Sequence, residues 1–324
     1  MSIPINITFL RREEADLSKQ QVATRKRSKR KKNVISARIK LAFVLGILIT
    51  VLGAILPIGF VAHQQLMSQT LVSPVLLSTG LEQLNSAASQ ALHQQTVELS
   101  KTLNGMIPQE FQSKTVSQVP LNSGRKVIAL TFDDGPWPEF TNEILYILKH
   151  HHVKATFFVI GRNVRNFPQR TKQMYLHGHA LGNHTWSHPY HQHSDSQAAG
   201  QIDNTTHWIE QATGGVKSRL FRPPGGFLNN GLAAYAAKQG QTVVMWSVDS
   251  KDYYAPAPRI IENVLSQAKP GAIVLLHDGG GDRRPTILAL PTIITKLQEQ
   301  GYEFVTVPEL LELKAQETQT ASGG

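Results

Sequence analysis

The sequence predicts an α/β domain, built either as a parallel sheet or as a (β/α) barrel, preceded by one transmembrane helix. Three observations lead to this prediction. Short apolar runs alternate with stretches of helical periodicity over about 180 residues, the pattern of a chain that alternates strands and helices. A single uncharged apolar segment precedes them at residues 41–62. Clusters of polar residues follow directly on several of the apolar runs.

The apolar runs at residues 127–132, 155–160, 242–248 and 272–276 are rich in β-branched and aromatic residues. Nearly continuous apolar strands are typical of sheets that are buried on both faces. Between these runs the spacing of apolar residues predicts helices at residues 139–150, 202–212, 232–239, 259–267 and 291–300. Strands that alternate with helices in this way pair in parallel, which gives the predicted α/β architecture.

The positive charge of the chain lies almost entirely in its first 40 residues. The formal net charge is +10, and residues 1–40 carry twelve Lys or Arg and three acidic side chains, which amounts to +9. The remainder of the chain is therefore nearly neutral. The basic run at residues 25–32 is also compatible with a nuclear or DNA-binding signal, but such runs are common and carry little specificity. We expect no nucleic-acid partner, because the predicted folded part lacks a basic surface.

The composition is that of a globular protein, and it excludes cysteine chemistry. The hydrophobic fraction is 41%, and the chain contains no cysteine. Disulfides, thiolate metal ligands and a cysteine nucleophile are therefore ruled out. This composition fits a reducing compartment as well as secretion without oxidative folding, so it does not decide the location.

Residues 41–62 form an uninterrupted apolar segment without a charged residue. At about 1.5 Å of rise per residue, a helix of this length spans a hydrocarbon core of about 30 Å. The segment is longer than the core of a signal peptide and lacks a convincing small-x-small cleavage site. The basic flank on its N-terminal side predicts a cytoplasmic N-terminus and an extracellular remainder. We therefore predict a single-pass signal anchor in the cell membrane.

These patterns divide the chain into five parts. They are a basic cytoplasmic tail (1–40), the anchor (41–62), an extracellular stalk or linker (63–123), the catalytic domain (124–312) and a flexible tail (313–324). The stalk shows a helical period in Leu77, Leu81, Leu84, Ala88, Leu92, Leu99 and Leu103. It is either a helical stalk, open to self-association, or a hairpin against the next domain, and a plain spacer is the simplest alternative.

Five polar clusters come directly after predicted strands or short apolar pairs. Because parallel strands end on one rim, the residues that follow them converge there, as in the active sites of barrel enzymes. One such cluster is weak evidence, whereas five indicate an assembled site. The clusters lie at 133–136, 184–188, 222–226, 249–252 and 277–278.

Two histidines in one of these clusters have the spacing of metal ligands. His184 and His188 are four residues apart, so in a helical turn their rings share a face. With one aspartate of the pair Asp133 and Asp134, they would form a site for Zn²⁺ or a related divalent metal. The pair HxxxH also arises by chance. We interpret the other histidines nearby, at 150–152 and at positions 191 and 193, as solvated.

Two further clusters supply a carboxylate and a cation beside this site. A metal on one aspartate leaves the other free as a base, and Arg222 is placed to hold that base ionised. A surface ion pair is the simpler interpretation of Arg222. The rigid Pro-Pro-Gly-Gly stretch that follows favours shaped backbone near a ligand.

The motifs together resemble a known family. TFDDGP (131–136), HTWSH (184–188), RPPGG (222–226), VDSKDY (248–253) and LLHD (275–278) have the order and approximate spacing of the five motifs of the polysaccharide deacetylase family. This is the NodB-homology domain of carbohydrate esterase family 4. The resemblance covers residues 126–308 and implies a distorted (β/α) barrel.

The resemblance also implies a role for each matching residue. Asp133 would be the general base, oriented by Arg222, and His277 the general acid, tuned by Asp252. Asp134, His184 and His188 would hold one divalent metal, Zn²⁺ first, with Co²⁺, Ni²⁺ or Mn²⁺ as alternatives. The substrate would meet Leu275 at its acetyl methyl group, the backbone N–H of Gly225 at its oxyanion, and Tyr253.

The sequence departs from the family pattern at two positions. Gly225 stands where the family usually has an aromatic residue after two prolines, so a wall of the sugar groove is missing. Tyr253 stands where the family usually has tryptophan, which keeps an aromatic ring. Both departures bear on substrate preference, since every ligand and acid–base position is filled.

The resemblance implies a hydrolase that removes acetyl groups from N-acetylglucosamine residues of a cell-surface polysaccharide. For an outward-facing anchored enzyme, peptidoglycan is the nearest such polymer. Chitin-like oligomers, poly-N-acetylglucosamine and O-acetyl xylan are alternatives within the family. A wall-binding scaffold without activity is the alternative from another class.

Overall fold

The computed structural model describes residues 83, 86–87 and 107–321. The chain divides after Leu84, and every element below belongs to the second unit, Asn85–Gly324. The predicted transmembrane segment 41–62 and the greater part of the predicted stalk lie outside the described residues. Within the described part of the chain, no helix has both the length and the apolar character needed to cross a bilayer.

The described chain contains one sheet of nine strands. Every ladder between the strands is parallel, and the order along the sheet is β1-β6-β5-β4-β3-β2-β8-β7, with β9 paired to β2. The predicted α/β class is therefore confirmed. The strands are β1 (Thr115–Val116), β2 (Val127–Asp133), β3 (Thr156–Val159), β4 (Ala180–Asn183), β5 (Leu220–Phe221), β6 (Thr242–Val244), β7 (Val248–Asp249), β8 (Ala272–His277) and β9 (Glu303–Phe304).

Within residues 107–321, eight α-helices connect and cover these strands. The five predicted helices are all present, with shifted ends. The helices are α1 (Pro138–His150), α2 (Gly161–Asn166), α3 (Pro168–Leu176), α4 (Asp195–Thr213), α5 (Leu232–Lys238), α6 (Ala257–Gln267), α7 (Arg284–Glu299) and α8 (Val307–Ala321). Two short 3-10 turns lie at Gln109–Phe111 and Pro224–Gly226.

The predicted strand 242–248 is in fact two strands at opposite edges of the sheet. β6 pairs with β1 and β5, whereas β7 pairs with β8. The link between them is hydrogen-bonded to strands on both sides, since Met245 N donates to Val116 O of β1 (2.7 Å) and Ser247 N donates to Ile273 O of β8 (3.1 Å). The sheet therefore curls into an incomplete barrel that this crossing segment bridges, as the expected distorted barrel requires.

The central strands β2, β3, β4 and β8 are buried on both faces, as continuous apolar character predicts. All seven residues of β2 are buried, and one core cluster packs β2, β3 and β8 against α1, α6 and α7. A second cluster inside the curl joins β2 and β8 to α8. The rigid sheet between these two layers positions the loops at the carboxyl ends of the strands.

Two helices begin earlier than the apolar period predicts. In α4 the first turn is polar, and its start is set by a capping box in which Ser194 and Gln197 bond each other's backbone N–H groups. In α7 the predicted start, Pro291, lies inside the helix. Pro285 occupies the first turn instead, where proline is tolerated because its missing N–H has no partner there.

Residues 107–123 belong to the folded domain and not to the stalk. Ile107, Val119 and Leu121 are buried in the second core cluster, and β1 pairs with β6. The structure therefore places the start of the domain at or before residue 107, ahead of the predicted boundary at 124. The few apolar residues of this segment are too widely spaced to show a period of their own.

The predicted flexible tail 313–324 is also corrected. α8 continues through Ala321, and Leu310, Leu311 and Ala315 are buried against the sheet. Glu317 accepts hydrogen bonds from the backbone N–H groups of residues 122 and 123 at 2.6 and 2.9 Å. The polar composition of residues 314–320 therefore reflects one solvated face of a docked helix.

Candidate active site

The strand pairing brings the predicted site residues to one rim. Asp133 and His277 end β2 and β8 and lie opposite each other in the ladder. Asn183 and Phe221 lie opposite each other in β4 and β5, so the residues that follow them, His184 and Arg222, also meet. The convergence that the polar clusters predict is therefore observed.

The adjacent aspartates have different main partners, although Asp133 Oδ2 and Asp134 Oδ1 each lie 3.6 Å from His184 Nε2. Asp133 Oδ1 accepts a hydrogen bond from Arg222 Nη1 at 2.8 Å. Asp134 has φ of +76°, a left-handed conformation that is unfavourable for a residue with a side chain. This turn sends its carboxylate toward the histidines, with Oδ1 at 3.3 Å from His188 Nε2 and 3.6 Å from His184 Nε2. Asn163 Nδ2 donates to Asp134 O at 2.9 Å and holds the strained turn.

The two histidines are brought together by a loop and not by the helical turn expected from their spacing. Thr185 and His188 both have positive φ, +69° and +60°. Thr185 N donates to Asn183 Oδ1 at 2.9 Å, and His188 N donates to Thr185 Oγ1 at 3.0 Å. The ring centroids of His184 and His188 are 4.9 Å apart. Strained backbone of this kind is concentrated at functional sites.

Asp134, His184 and His188 fit a divalent metal ion. One ligand atom from each lies within 4.8 Å of the others. Within the described structure, the buried Asp134 Oδ1 has no hydrogen-bond partner, which is costly unless a cation or water satisfies it. His184 Nδ1 bonds Arg222 O at 2.7 Å, which leaves Nε2 directed at the site. Burial lowers the pKa of His184 to about 3, so its ring is the neutral form that binds metals.

Arg222 is the buried centre of the site, with no exposed surface. Its Nη1 donates to Asp133 and to Thr131 Oγ1 at 2.8 Å, and its Nε donates to Val244 O at 2.9 Å. Its guanidinium also stacks on the ring of Phe158, with Cζ 4.1 Å from the ring centroid. Burial raises the pKa of Asp133, and the charge of Arg222 opposes that rise. Arg222 therefore orients Asp133 and keeps a carboxylate available at a buried position.

His277 and Asp252 form a second buried pair. His277 Nδ1 bonds Asp252 Oδ1 at 2.7 Å, and Asp252 Oδ2 accepts from His277 N and from Thr286 Oγ1, both at 2.8 Å. Burial alone would lower the pKa of His277. The hydrogen bond and charge of Asp252, helped by Asp133 and Asp134, raise that pKa to about 9. His277 is thus a cation at neutral pH with Nε2 free to donate a proton.

The three predicted substrate residues surround these pairs. Gly225 has φ of +62° in the 3-10 turn that follows Arg222. Tyr253 is 51% exposed, and its ring meets that of His277 edge to face at 5.9 Å. Leu275 is buried in β8, two residues before His277. All three therefore belong to the loops and strands of this rim.

An open cavity of about 550 Å³ lies beside Asp134. Gly280 lines it, and a Cβ at this position would lie 2.5 Å from Asp134 Oδ2. Trp137, Glu139 and Arg284 form the other walls. The rim is therefore open enough on this side for an extended ligand.

Two polar residues of the site were not singled out from the sequence. Asp278 accepts from Gly135 N (3.1 Å) and Thr141 Oγ1 (2.5 Å), and thereby holds the Asp133–Asp134 turn. Burial raises the pKa of Asp278 to about 7. Thr131 bridges Arg222 and Val274 O. Asp278 and Thr131 both lie inside the quoted motifs, so their position there was the available signal.

One of the histidines interpreted as solvated is different. His150 and His191 are exposed, but both ring nitrogens of His193 are buried and, in the described part of the chain, have no hydrogen-bond partner. His191 stacks on His193 with ring centroids 4.3 Å apart. The ring of His191 therefore packs on that of His193, a contact that the sequence does not reveal.

The fold and this arrangement place three residues that fit a divalent metal, a buried carboxylate paired with an arginine, and a histidine paired with a buried aspartate on one barrel rim. The family model described as polysaccharide deacetylase matches residues 121–244. A peptidoglycan-N-acetylglucosamine deacetylase of Bacillus cereus is 42% identical over 201 residues, which cover 61% of this chain and 92% of that protein. The chain belongs to the polysaccharide deacetylase family.

Other relatives differ in length and in substrate. The peptidoglycan-N-acetylglucosamine deacetylase PgdA of Listeria monocytogenes is 41% identical, covering 63% of this chain and 43% of that protein. A chitooligosaccharide deacetylase of Bradyrhizobium is 37% identical, covering 58% of this chain and 92% of that protein. A crystal structure of a peptidoglycan N-acetylglucosamine deacetylase is 37% identical with a TM-score of 0.58, covering 62% of this chain and 94% of that one.

Proposed function

We propose that this chain hydrolyses the acetamide group of N-acetylglucosamine residues in peptidoglycan, with release of acetate and a free amine. One observation carries the proposal. The pair Arg222–Asp133 and the pair Asp252–His277 lie on the same rim as the cluster Asp134, His184 and His188. An amide needs a base to form the nucleophile and an acid to release its nitrogen, and the rim provides both.

Asp134, His184 and His188 are the residues that would hold the metal, and Zn²⁺ suits two imidazoles and one carboxylate. When bound there, such a metal supplies Lewis acidity and lowers the pKa of water. Asp133 is not needed as a ligand, because its Oδ1 is bonded to Arg222. Co²⁺, Ni²⁺ and Mn²⁺ are the alternatives for the same ligands.

The first half of the reaction depends on Asp133. The ion pair with Arg222 holds this carboxylate in one orientation, so it accepts the proton of the attacking water. The backbone N–H of Gly225 is proposed to donate a hydrogen bond to the oxygen that gains negative charge. Donors that are already in place cost no reorganisation when that charge develops.

The second half depends on His277. Nδ1 is bonded to Asp252, so Nε2 carries the proton that goes to the leaving nitrogen. An amide nitrogen leaves poorly as an anion, and a positioned imidazolium avoids that species. Asp252 fixes the ring and raises its pKa, which keeps the acid charged at neutral pH.

We further propose that residues 41–62 anchor the chain in the cell membrane, with the N-terminus cytoplasmic and the catalytic domain extracellular. The support is the uncharged apolar run and the charge of +9 that precedes it.

Cell fractionation tests this proposal. The full chain should sediment with membranes and a chain that begins at residue 63 should not, and recovery of both in the soluble fraction would contradict it. Any self-association through residues 63–106 would appear as a larger mass of the full chain in detergent.

Acetate and amine release from purified substrates tests the activity. The full chain, solubilised in detergent, should release acetate from peptidoglycan, lose this activity on chelation and recover it with Zn²⁺. If acetate were released from chitin oligomers and not from peptidoglycan, chitin-like oligomers would replace peptidoglycan as the proposed substrate. If acetate appeared from neither under any metal, the domain would be a wall-binding scaffold and the enzyme proposal would fail.

A further inference from the structure

We propose that Tyr190 and Phe227 together form a binding surface for one pyranose ring of the glycan, in place of an aromatic side chain at position 225. The inference rests on the proposed function and names part of its substrate site. It concerns the wall of the sugar groove that Gly225 leaves without a side chain.

The two aromatic rings extend outward from the metal site. Tyr190 follows two residues after His188, and their rings meet edge to face at 5.0 Å. Phe227 follows two residues after Gly225, and its ring meets that of Tyr190 edge to face at 6.0 Å, with an angle of 86° between the planes. Edge-to-face contacts of this kind are favourable and fix the relative orientation of the rings. A continuous aromatic surface therefore starts at a metal ligand.

These rings occupy the space that a side chain at position 225 would need. A Cβ on Gly225 would lie 2.8 Å from Phe227 Cε2 and 3.0 Å from Tyr190 Cε1. The positive φ of Gly225 adds a backbone cost for any other residue. A side chain at position 225 would therefore require both rings to shift from their present places. With glycine there, the two rings occupy this part of the groove and supply an aromatic wall.

Both rings are open to solvent on the side away from these contacts. Tyr190 is 59% exposed and Phe227 is 45% exposed, in contrast to the buried apolar residues of the sheet. A pyranose ring presents a face of C–H groups that packs on an aromatic ring and removes apolar surface from water. The surface is continuous with the site where the acetamide reacts, which favours the glycan over a partner protein as its occupant.

The matched experiment uses Phe227→Ala, Tyr190→Ala, Phe227→Trp and, as a control, Tyr146→Ala. Tyr146 is an exposed aromatic residue of α1, 72% exposed, and belongs to no part of the site. Binding of penta-N-acetylchitopentaose is measured by calorimetry in the full chain carrying Asp133→Asn, and KM and kcat are measured with Asp133 intact. Thermal unfolding and zinc content of every variant show whether the fold and the metal site persist.

We expect Phe227→Ala and Tyr190→Ala each to weaken binding of the pentamer about five- to tenfold, the range of a lost aromatic contact. The loss should fall on KM more than on kcat, and Phe227→Trp should retain binding because it keeps a ring. Phe227 contacts no metal ligand, so its variant should keep its zinc. Wild-type affinity in both alanine variants would overturn the inference. If the chain with Asp133 intact bound the pentamer without turning it over, the proposed function would be wrong. The binding surface formed by Tyr190 and Phe227 would still be supported.

Discussion

At the scale of single residues, the site separates two adjacent carboxylates by backbone conformation. The left-handed φ of Asp134 turns it toward His184 and His188, while Asp133, in the extended strand, meets Arg222. Arg222 thereby pairs with Asp133 and His188 with Asp134, while His184 Nε2 lies 3.6 Å from both carboxylates. Substitutions of the two aspartates should therefore have different effects on turnover and on metal content.

Asp133→Asn should lower turnover about 10²- to 10⁴-fold, because the side chain can no longer accept a proton. The metal content should not change, because the ligand cluster contains Asp134 and not Asp133. Acetate release and zinc analysis of the same preparation test both statements. Asp195→Asn, at an exposed ion pair with Lys238, is the control and should match the wild type. Loss of zinc from Asp133→Asn would show that the assignment of the two aspartates is wrong.

The pH dependence should follow His277. Its pKa is raised to about 9, above the ordinary 6.5, so it is protonated at neutral pH and loses its proton as pH rises through about 9. Activity should therefore fall on the alkaline side, and the stability that the charged pair contributes at pH below about 6.5 should be lost over the same rise.

Asp252→Asn should move that alkaline limb to lower pH by at least about one unit, because the charge that raises the pKa of His277 is removed while burial remains. The pH profile of kcat/KM is the measurement, with Asp249→Asn, next to the same loop, as the comparison. An unshifted limb in Asp252→Asn would mean that another group controls it.

At the scale of elements, the C-terminal helix and the segment 242–249 complete the barrel. α8 buries Leu310 and Leu311 against the sheet interior, and β6 and β7 attach one short segment to both edges. Arg222 donates to Val244 O and Met245 O, where this segment leaves the sheet. The segment that closes the barrel is therefore hydrogen-bonded directly to Arg222.

Leu311→Ala should lower the free energy of unfolding by about 2–5 kcal/mol, the usual cost of truncating a buried leucine. Leu311 is fully buried, whereas Leu288 in α7 is 70% exposed. Leu288→Ala should change stability by less than about 0.5 kcal/mol and serves as the control. Denaturant unfolding measures both variants. Equal, small effects would show that α8 is not part of the cooperative unit.

At the scale of the whole molecule, metal binding should couple to folding. The three ligands come from two separate loops, one after β2 and one after β4, so a bound metal joins parts of the chain about 50 residues apart. A ligand that binds the folded chain alone stabilises it by RT ln(1 + [L]/Kd), about 2.7 kcal/mol at one hundred times Kd.

Zinc should therefore raise the Tm of the wild type, and His188→Ala should abolish most of that increase. His191→Ala, at an exposed histidine three residues further along, should preserve it. Calorimetry of the chelated and zinc-loaded chains is the measurement. An equal increase in Tm in wild type and His188→Ala would place the metal elsewhere.

The sequence by itself determined the α/β class, the residue types of the site and their membership in one rim. Each motif is a short contiguous segment, and parallel strands end on the same side of a sheet. The order of the motifs and their positions at predicted strand ends were therefore sufficient to place them on one rim. The apolar period also predicted five helices, with starts that were late where polar or proline-containing turns extend them, as at Ser194 and Pro285. It did not predict α2, α3 or α8.

The tertiary structure alone decided which aspartate pairs with Arg222, where the strand 242–248 breaks, and that residues 314–321 form a docked helix. It also decided that Tyr190 and Phe227 fill the space beside Gly225. The physical reason is common to all four. Contacts between residues distant in the chain set the sign of φ at a turn. They also decide which strands pair and which neighbour covers a given side chain. A local pattern of residue types does not contain those contacts.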